Sequence, residues 1–262
     1  MGLTGFFLLD TAWRVLGIAL LVLLLAAAAH ALVFRAGLAG ALEGKAPVAP
    51  FFTSVTALFA LFVAFAAADA WSRDDHAAVA LGQESRALSA VRAAGRALGE
   101  PGAPLGAALA DYLSVSLREE WGELRNLRPS AAAGAALHRL EEAALAAARP
   151  AFGPDEAGAI RHELVRGVHA LQAARDARLR FGSDFGQGWK WGGLLLLCFA
   201  SQLSIALVHL DRPRTALVTQ ALFGLAATTG LGILAGFEGP YAGIGAVLPT
   251  PLLTLQAALA AP

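Results

Sequence analysis

Residues 15–34 read VLGIALLVLLLAAAAHALVF, twenty positions in which His30 is the only strongly polar side chain. At about 1.5 Å of rise per residue, a helix of this length covers the roughly 30 Å hydrocarbon core of a bilayer. Lipid offers no hydrogen-bond partners, so the backbone N–H and C=O groups of such a segment must bond to one another, as they do in a helix. The stretch therefore predicts a membrane-spanning helix.

A secretory leader is the competing interpretation of this stretch. Ala29-His30-Ala31 imitates a small-x-small cleavage site. However, a leader would have to carry Asp10 as well as Arg14, and the residues before them are already apolar. These features favour the spanning helix.

Three more apolar stretches have the length of a span. They cover residues 51–68, residues 191–208 and residues 215–237, and the last holds no charge. The four spans form two pairs, separated by a long polar segment. The predicted organisation is a first transmembrane hairpin (1–71), a water-soluble antiparallel helical domain (72–188), a second transmembrane hairpin (189–238) and an apolar interfacial tail (239–262).

The distribution of charge supports this division. Only 15% of the 262 residues are charged, whereas soluble domains carry about 25%. Residues 72–188 hold 14 Lys/Arg and 15 Asp/Glu of the 40 charges in the chain. Because no basic excess exists, a nucleic-acid partner is not expected. Cys198 is the single cysteine, which rules out disulfides within the chain.

The polar segment is predicted to form four helices. Proline residues divide it, and apolar residues recur at helical spacing in each part. No stretch alternates as a strand does, so the fold class is all-α: an integral membrane protein with four transmembrane helices and an inserted helical-bundle soluble domain. The tail contains Pro240, Pro249 and Pro251 and no charge after Glu238, which indicates a cap at the membrane interface.

The charges near the spans suggest an orientation. The two short loops hold Arg35, Lys45, Arg212 and Arg214. The positive-inside rule gives most weight to short loops. We therefore expect cytoplasmic loops and an extracytoplasmic helical domain. The excess of Ala, Gly and Leu with a single Met is typical of a bacterial protein, so the membrane is expected to be a bacterial cytoplasmic membrane, crossed by a multi-pass chain.

Glu84 occupies an apolar seam. It follows Leu81 and precedes Leu88 at 3–4 spacing, 13 residues after Trp71. Trp71 closes the second span and Trp189 precedes the third, so residues equally far from them lie at the same height on the two helices. Counting 13 residues back from Trp189 reaches a position between Arg175 and Arg178. An unpaired buried carboxylate is costly, so one of these arginines is expected to pair with Glu84. The pair is interpreted either as a structural contact that fixes helix register or as an ion-binding or gating site.

The second span carries bulky rings at i, i+3 and i+6. If copies of this helix surround an axis, Phe59, Phe62 and Phe65 form a constriction that gates by dewetting. Lipid-facing or interhelical packing is the alternative. His30, Asp69 and Gln202 are polar at membrane depth and are expected to face protein or water. Gly232 and Gly236 have the spacing that permits close helix packing.

Motifs that would indicate an enzyme are incomplete. The sequence HELVR at residues 162–166 has Arg166 where a zinc-protease helix needs its second histidine. The glycines of residues 230–236 lie inside a predicted span, without the strand that a dinucleotide loop requires. We therefore expect no enzyme activity, no catalytic or metal-binding residues and no cofactor.

Several short stretches, in this order and spacing, resemble the bacterial bestrophin-like family of uncharacterised membrane proteins. Members have two spans, a helical middle region and two further spans. The stretches are Ala64-Phe65 through Trp71, Ala77-Ala-Val79, Gln83-Glu84, Ala87-Leu88, Asp111-Tyr112, Glu119-Glu120-Trp121, Arg178-x-Arg180 and Glu238-x-Pro240-Tyr241-x-Gly243.

This resemblance implies a homo-oligomeric channel in the lipid membrane, anion-conducting and pentameric by analogy with bestrophins. The alternative is a non-conducting scaffold, sensor or accessory subunit whose helical domain binds a protein partner. The balanced charge of the helical domain favours the alternative, because it offers no basic vestibule to concentrate anions.

Overall fold

The computed structural model describes residues 6, 9, 11–36, 40, 49–149, 158–183, 188–242 and 245–260. Within these residues the chain is all-α, as the sequence predicts, and contains no strand. The helices are α1 (Thr11–Phe34), α2 (Ala49–Ala97), α3 (Ala103–Val115), α4 (Ala131–Ala147), α5 (Gly158–Ser183), α6 (Gly188–Val208), α7 (Pro213–Gly236) and α8 (Thr250–Ala260). A short 3-10 turn, Glu100–Gly102, precedes α3, and a π-helix, Ser116–Glu123, follows it.

The chain divides into two compact units. We call the first the membrane unit, which comprises Met1–Ser72, Phe185–Gly239 and Gly243–Gly245. The second, the helical unit, comprises Arg73–Asp184, Pro240–Ala242 and Ala246–Pro262.

Four helices in the described part of the chain are long and apolar enough to span a membrane. They are α1, α2, α6 and α7, whose apolar stretches lie within Ala12–Phe34, Pro50–Ala97, Gly188–Val208 and Pro213–Gly236. Large apolar side chains are exposed along them, including Leu23, Leu196 and Leu225, each at least 64% exposed. A soluble protein rarely exposes so continuous an apolar surface. The chain is an all-α integral membrane protein.

Helices α1 and α7 pack antiparallel in the membrane unit. Near the start of α1, Nη1 of Arg14 donates to the Ala235 carbonyl at 3.0 Å. Near its end, Nδ1 of His30 lies 3.1 Å from Oε1 of Gln220. The predicted packing glycines, Gly232 and Gly236, are both buried. A Cβ on Gly232 would lie 3.6 Å from Val15, so α7 is in contact with α1 there.

The helical unit has its own core, built from α2, α3, α4, α5 and α8. Leu88 and Val91 of α2 pack there with Leu113 of α3, Leu140 of α4 and Leu171 of α5. All five side chains are fully buried. The apolar periodicity of the sequence is therefore realised as one shared core.

The C-terminal tail, predicted to be interfacial, contributes to the core of the helical unit. Leu252 and Leu255 of α8 are buried there. Nη2 of Arg92 also donates to the Ala258 carbonyl at 2.7 Å, near the end of α8. An uncharged amphipathic segment suits a protein core as well as an interface, so composition alone does not distinguish them.

Candidate functional site

Four charged side chains meet inside the helical unit, and we call them the charge cluster: Glu84, Glu120, Arg175 and Arg178. Three of them are 0% exposed and Arg175 is 7% exposed. They come from α2, from the π-helix and from α5. Two carboxylates and two guanidiniums make the cluster neutral, which is the condition under which buried charges are tolerated.

Arg178 bridges both carboxylates. Its Nε donates to Oε2 of Glu84 at 2.6 Å, and its Nη2 donates to Oε1 of Glu84 at 3.1 Å. The same Nη2 lies 2.8 Å from Oε2 of Glu120. This two-point contact with Glu84 is the fork geometry that makes arginine–carboxylate pairs strong.

The structure brings together Glu84 and Arg178 but not Glu84 and Arg175. Arg175 contacts Glu120 instead, through Nη2 to Oε1 at 2.5 Å and Nε to Oε2 at 3.3 Å. Position along the helix allowed either arginine to reach Glu84. Because Arg175 is hydrogen-bonded to the second carboxylate, Glu120, the arginine that pairs with Glu84 is Arg178.

Uncharged groups complete the cluster. The Tyr112 hydroxyl donates to Oε1 of Glu84 at 2.7 Å. The backbone N–H of Ser130 donates to Oε1 of Glu120 at 3.1 Å, and Asn126 accepts from Nη1 of Arg178. Ser130 is also the N-cap of α4, where its side chain accepts from the Ala133 N–H. The cluster is thereby joined to the beginning of α4.

Irregular backbone positions these partners. In the π-helix the Leu124 N–H bonds the Glu119 carbonyl at 2.7 Å, five residues back. The chain then turns through two left-handed residues, Arg125 and Asn126, with φ of 49° and 56°. Gly182 of α5 lies against this turn, where a Cβ would be 2.1 Å from the Asn126 carbonyl oxygen. Only glycine fits at that approach.

The titration behaviour follows from these contacts. Burial alone would raise the pKa of Glu120, but the hydrogen bond from Arg175 and the charge of Arg178 hold it below its usual value. Burial and then the charge of Glu84 raise the pKa of the Tyr112 hydroxyl well above its usual value. At neutral pH Glu120 is therefore an acceptor, while Tyr112 remains a hydrogen-bond donor.

Two aromatic rings cover one side of the cluster. The guanidinium carbon of Arg178 lies 5.4 Å from the ring centroid of Trp121. The Tyr241 ring meets Trp121 edge-on at 5.0 Å, and its hydroxyl donates to the Ala77 carbonyl at 3.3 Å. These contacts connect α2, the π-helix, α5 and the segment after α7 around the charge cluster.

Sequence reasoning missed Glu120, Tyr112 and Asn126 as members of the cluster. Glu120 lies in the π-helix, whose longer repeat moves it off the 3.6-residue period used to find buried positions. The available signal was the presence of Asp111-Tyr112 and Glu119-Glu120-Trp121 among the stretches that resemble a known family.

The three phenylalanines of the predicted constriction do not share one environment. Phe59 is 6% exposed and packs on Phe223 of α7, with ring centroids 5.5 Å apart. Phe62 and Phe65 are 50% and 65% exposed. Rings at i, i+3 and i+6 sweep a third of the helix circumference, so one of them reaches the neighbouring helix. Phe59 is an intrachain packing residue, and only Phe62 and Phe65 remain available to line a path.

Gln202 and His30, both predicted at membrane depth, meet through a third residue that the sequence did not single out. Gln220 Nε2 donates to the Gln202 carbonyl at 3.1 Å, and Gln202 Nε2 lies 3.4 Å from the Gln220 carbonyl. The side-chain oxygen of Gln220 faces His30. This chain of hydrogen bonds links α1, α6 and α7 inside the membrane unit.

Polar groups also pair near the start of α6 and the end of α7. Lys190 Nζ lies 2.5 Å from Oδ2 of Asp69, the third residue predicted at membrane depth. Trp191 Nε1 donates to Oε1 of Glu238 at 3.2 Å, and both residues are buried. Asp69 and Glu238 therefore contact protein, as polar groups near lipid require.

Comparison with known proteins defines this membrane protein further. A family model described as "Bestrophin-like domain" matches residues 14–252, which include all four spans and most of the helical unit. The chain therefore belongs to the bestrophin-like family. No curated protein and no solved structure shows a match to it.

Proposed function

We propose that the chain is the pore-forming subunit of a homo-oligomeric ion channel in a bacterial cytoplasmic membrane, conducting anions by likeness to bestrophins. The observation that carries the proposal is the family match over residues 14–252, which spans both units.

The surface of α2 supplies supporting evidence. Phe62 and Phe65 are exposed on a span whose first turns carry Thr53 and Thr56. In a closed ring of subunits, such rings can form a narrow apolar neck from which water withdraws. Loss of water from the neck would oppose ion passage until the neck widens or becomes more polar.

Ion flux from liposomes tests the proposal. On this model Phe62→Ala raises flux well above the parent, and Phe62→Ser raises it further, because a smaller or polar side chain wets the neck. Phe59→Ala is the matched control on the same helix. Since Phe59 packs against Phe223, its truncation should lower stability without raising flux.

The particles must be shown to be intact before flux is interpreted. Their size in detergent reports the oligomer, and closed cyclic symmetry with α2 near the axis supports the channel. Flux at the level of empty liposomes for the parent and both Phe62 variants would contradict it.

The second candidate is a non-conducting scaffold, sensor or accessory subunit whose helical unit binds a protein partner. The balance of 14 basic and 15 acidic residues in residues 72–188 favours it, because no net field concentrates anions. A monomeric particle without flux would move this function to first place.

A further inference from the structure

A groove of about 300 Å³ lies between α1 and α7 in the membrane unit. Its apolar wall is made largely of small side chains, among them Ala26, Ala27 and Ala221. Its polar lining comes from His30, Gln220 and Arg35. The lining is therefore mostly apolar, with the cationic Arg35 at the end of α1.

The cationic end is the basic end of the membrane unit. Because α1 and α7 are antiparallel, the residue after α1, Arg35, lies at the same end as Arg212 and Arg214 at the start of α7. All three side chains are exposed. The two short connections together carry four basic residues and two acidic ones.

The polar wall of the groove is held in a fixed arrangement. Gln220 Nε2 donates to the Gln202 carbonyl, so Oε1 of Gln220 is the atom that faces His30. His30 Nδ1 must then carry the proton that it donates to Gln220. The ring also contacts Phe34, with centroids 4.5 Å apart. The groove is therefore a formed surface between two braced helices.

We propose that this groove binds an anionic phospholipid, with its phosphate on Arg35 and one acyl chain along Ala27 and Ala221. A guanidinium matches two phosphate oxygens at once, and a basic pocket between spans attracts anionic headgroups. Because alanine side chains are small, the groove between α1 and α7 has room for one acyl chain. A zwitterionic headgroup would bring its own cation near Arg35, so we expect selectivity for net negative charge.

Lipid binding to the full-length protein, purified in detergent, tests this proposal. Phosphatidylglycerol and phosphatidylcholine with the same acyl chains are compared by native mass spectrometry and by the shift in the melting temperature. Arg35→Gln should weaken phosphatidylglycerol binding by about tenfold or more, the value of one charge-assisted contact. Arg214→Gln, an exposed arginine of the same end that does not line the groove, should leave it close to the parent.

Ala27→Leu provides a second variant that keeps every charge. Ala27 is exposed in the groove, so a leucine there fills the furrow without disturbing the core. Binding of phosphatidylglycerol should fall in this variant while its melting temperature without lipid stays near that of the parent.

Four results would overturn the proposal. Equal binding of the two lipids would remove the role of charge, and equal weakening by Arg214→Gln would show general surface attraction. Binding of soluble glycerol phosphate as tight as that of the lipid would indicate a free-anion site. A change of oligomeric state in Ala27→Leu, with lipid binding unaltered, would identify the groove as a contact between copies.

Discussion

Arg178 and Glu84 lie 94 residues apart in the chain, yet Nε of Arg178 donates to Oε2 of Glu84 at 2.6 Å and both side chains are 0% exposed. The contact joins α5 to α2, and Arg178 extends it to Glu120 of the π-helix. A single arginine thereby connects three helical segments of the helical unit.

Removing Glu84 should destabilise the protein strongly. Glu84→Ala strands Arg178 in the core, and breaking a buried pair costs about 3–5 kcal/mol. Glu84→Gln should cost less, because an amide oxygen still accepts from the guanidinium. Thermal unfolding of the purified protein measures both. The matched control is Glu163→Gln, which breaks a surface pair with Arg166 and should cost less than about 1 kcal/mol.

An unchanged melting temperature in both Glu84 variants would contradict the buried pair. The same result would also exclude the cluster as the element that fixes the register of α2 against α5.

Part of this pair was predictable from sequence. The 3–4 spacing of Leu81, Glu84 and Leu88 places a carboxylate in an apolar seam, and an arginine had to neutralise it. The choice between Arg175 and Arg178 was not predictable, because it depends on Glu120. A π-helix changes which side chains point inward, and the spacing of apolar residues does not reveal where a π-helix occurs.

Acid should weaken the fold through Glu120. Its pKa in the folded protein lies below the usual value of about 4.3 for an unfolded glutamate. A depressed carboxylate pKa contributes stability that is complete above the unfolded value and is lost as pH falls through the folded value. The melting temperature should therefore fall as pH drops below about 4.3.

Glu120→Gln tests the source of that loss. The variant should be less stable at neutral pH, and the gap to the parent should narrow in acid, since the amide does not titrate. Parallel pH curves for the parent and Glu120→Gln would show that other carboxyl groups cause the effect.

Gly182→Ala should destabilise the helical unit. The new methyl would lie 2.1 Å from the Asn126 carbonyl oxygen, and that oxygen belongs to backbone in the left-handed region. Relief requires the turn to move away from Arg178, whose Nη1 donates to Asn126. We expect a loss of about 1–3 kcal/mol in thermal unfolding, as for other overpacked cores.

Gly106→Ala is the matched control for that substitution. Gly106 lies in α3, and no neighbouring atom lies within 4 Å of its added Cβ. Alanine also favours a helix over glycine by about 0.5–1 kcal/mol, so this variant should be neutral or slightly stabilised. Equal stability of the Gly182 and Gly106 variants would contradict the close approach.

The membrane unit shows where sequence reasoning reaches its limit. Four spans were predictable because length and apolar composition determine them. The role of Phe59 was not, since lipid and a neighbouring helix are equally apolar partners for a ring. Leu252 and Leu255 illustrate the same ambiguity in the tail, where the choice between interface and core depends on helices far away in the chain.

The last prediction concerns orientation. The short connections carry Arg35, Lys45, Arg212 and Arg214, so the positive-inside rule places them in the cytoplasm and the helical unit outside. One predicted span lies between Gly40 and Ala132 in the chain, and both positions are exposed. Native Cys198 is buried, and replacing it gives a background without thiols.

In that background, Ala132→Cys should react with a membrane-impermeant maleimide in intact spheroplasts, whereas Gly40→Cys should react only after permeabilisation. Reaction of both cysteines from one side would rule out an odd number of spans between them and with it the four-span arrangement. Reaction of Gly40→Cys alone in intact spheroplasts would keep four spans and reverse the orientation. The basic loops would then face outward, against the rule that short loops normally obey.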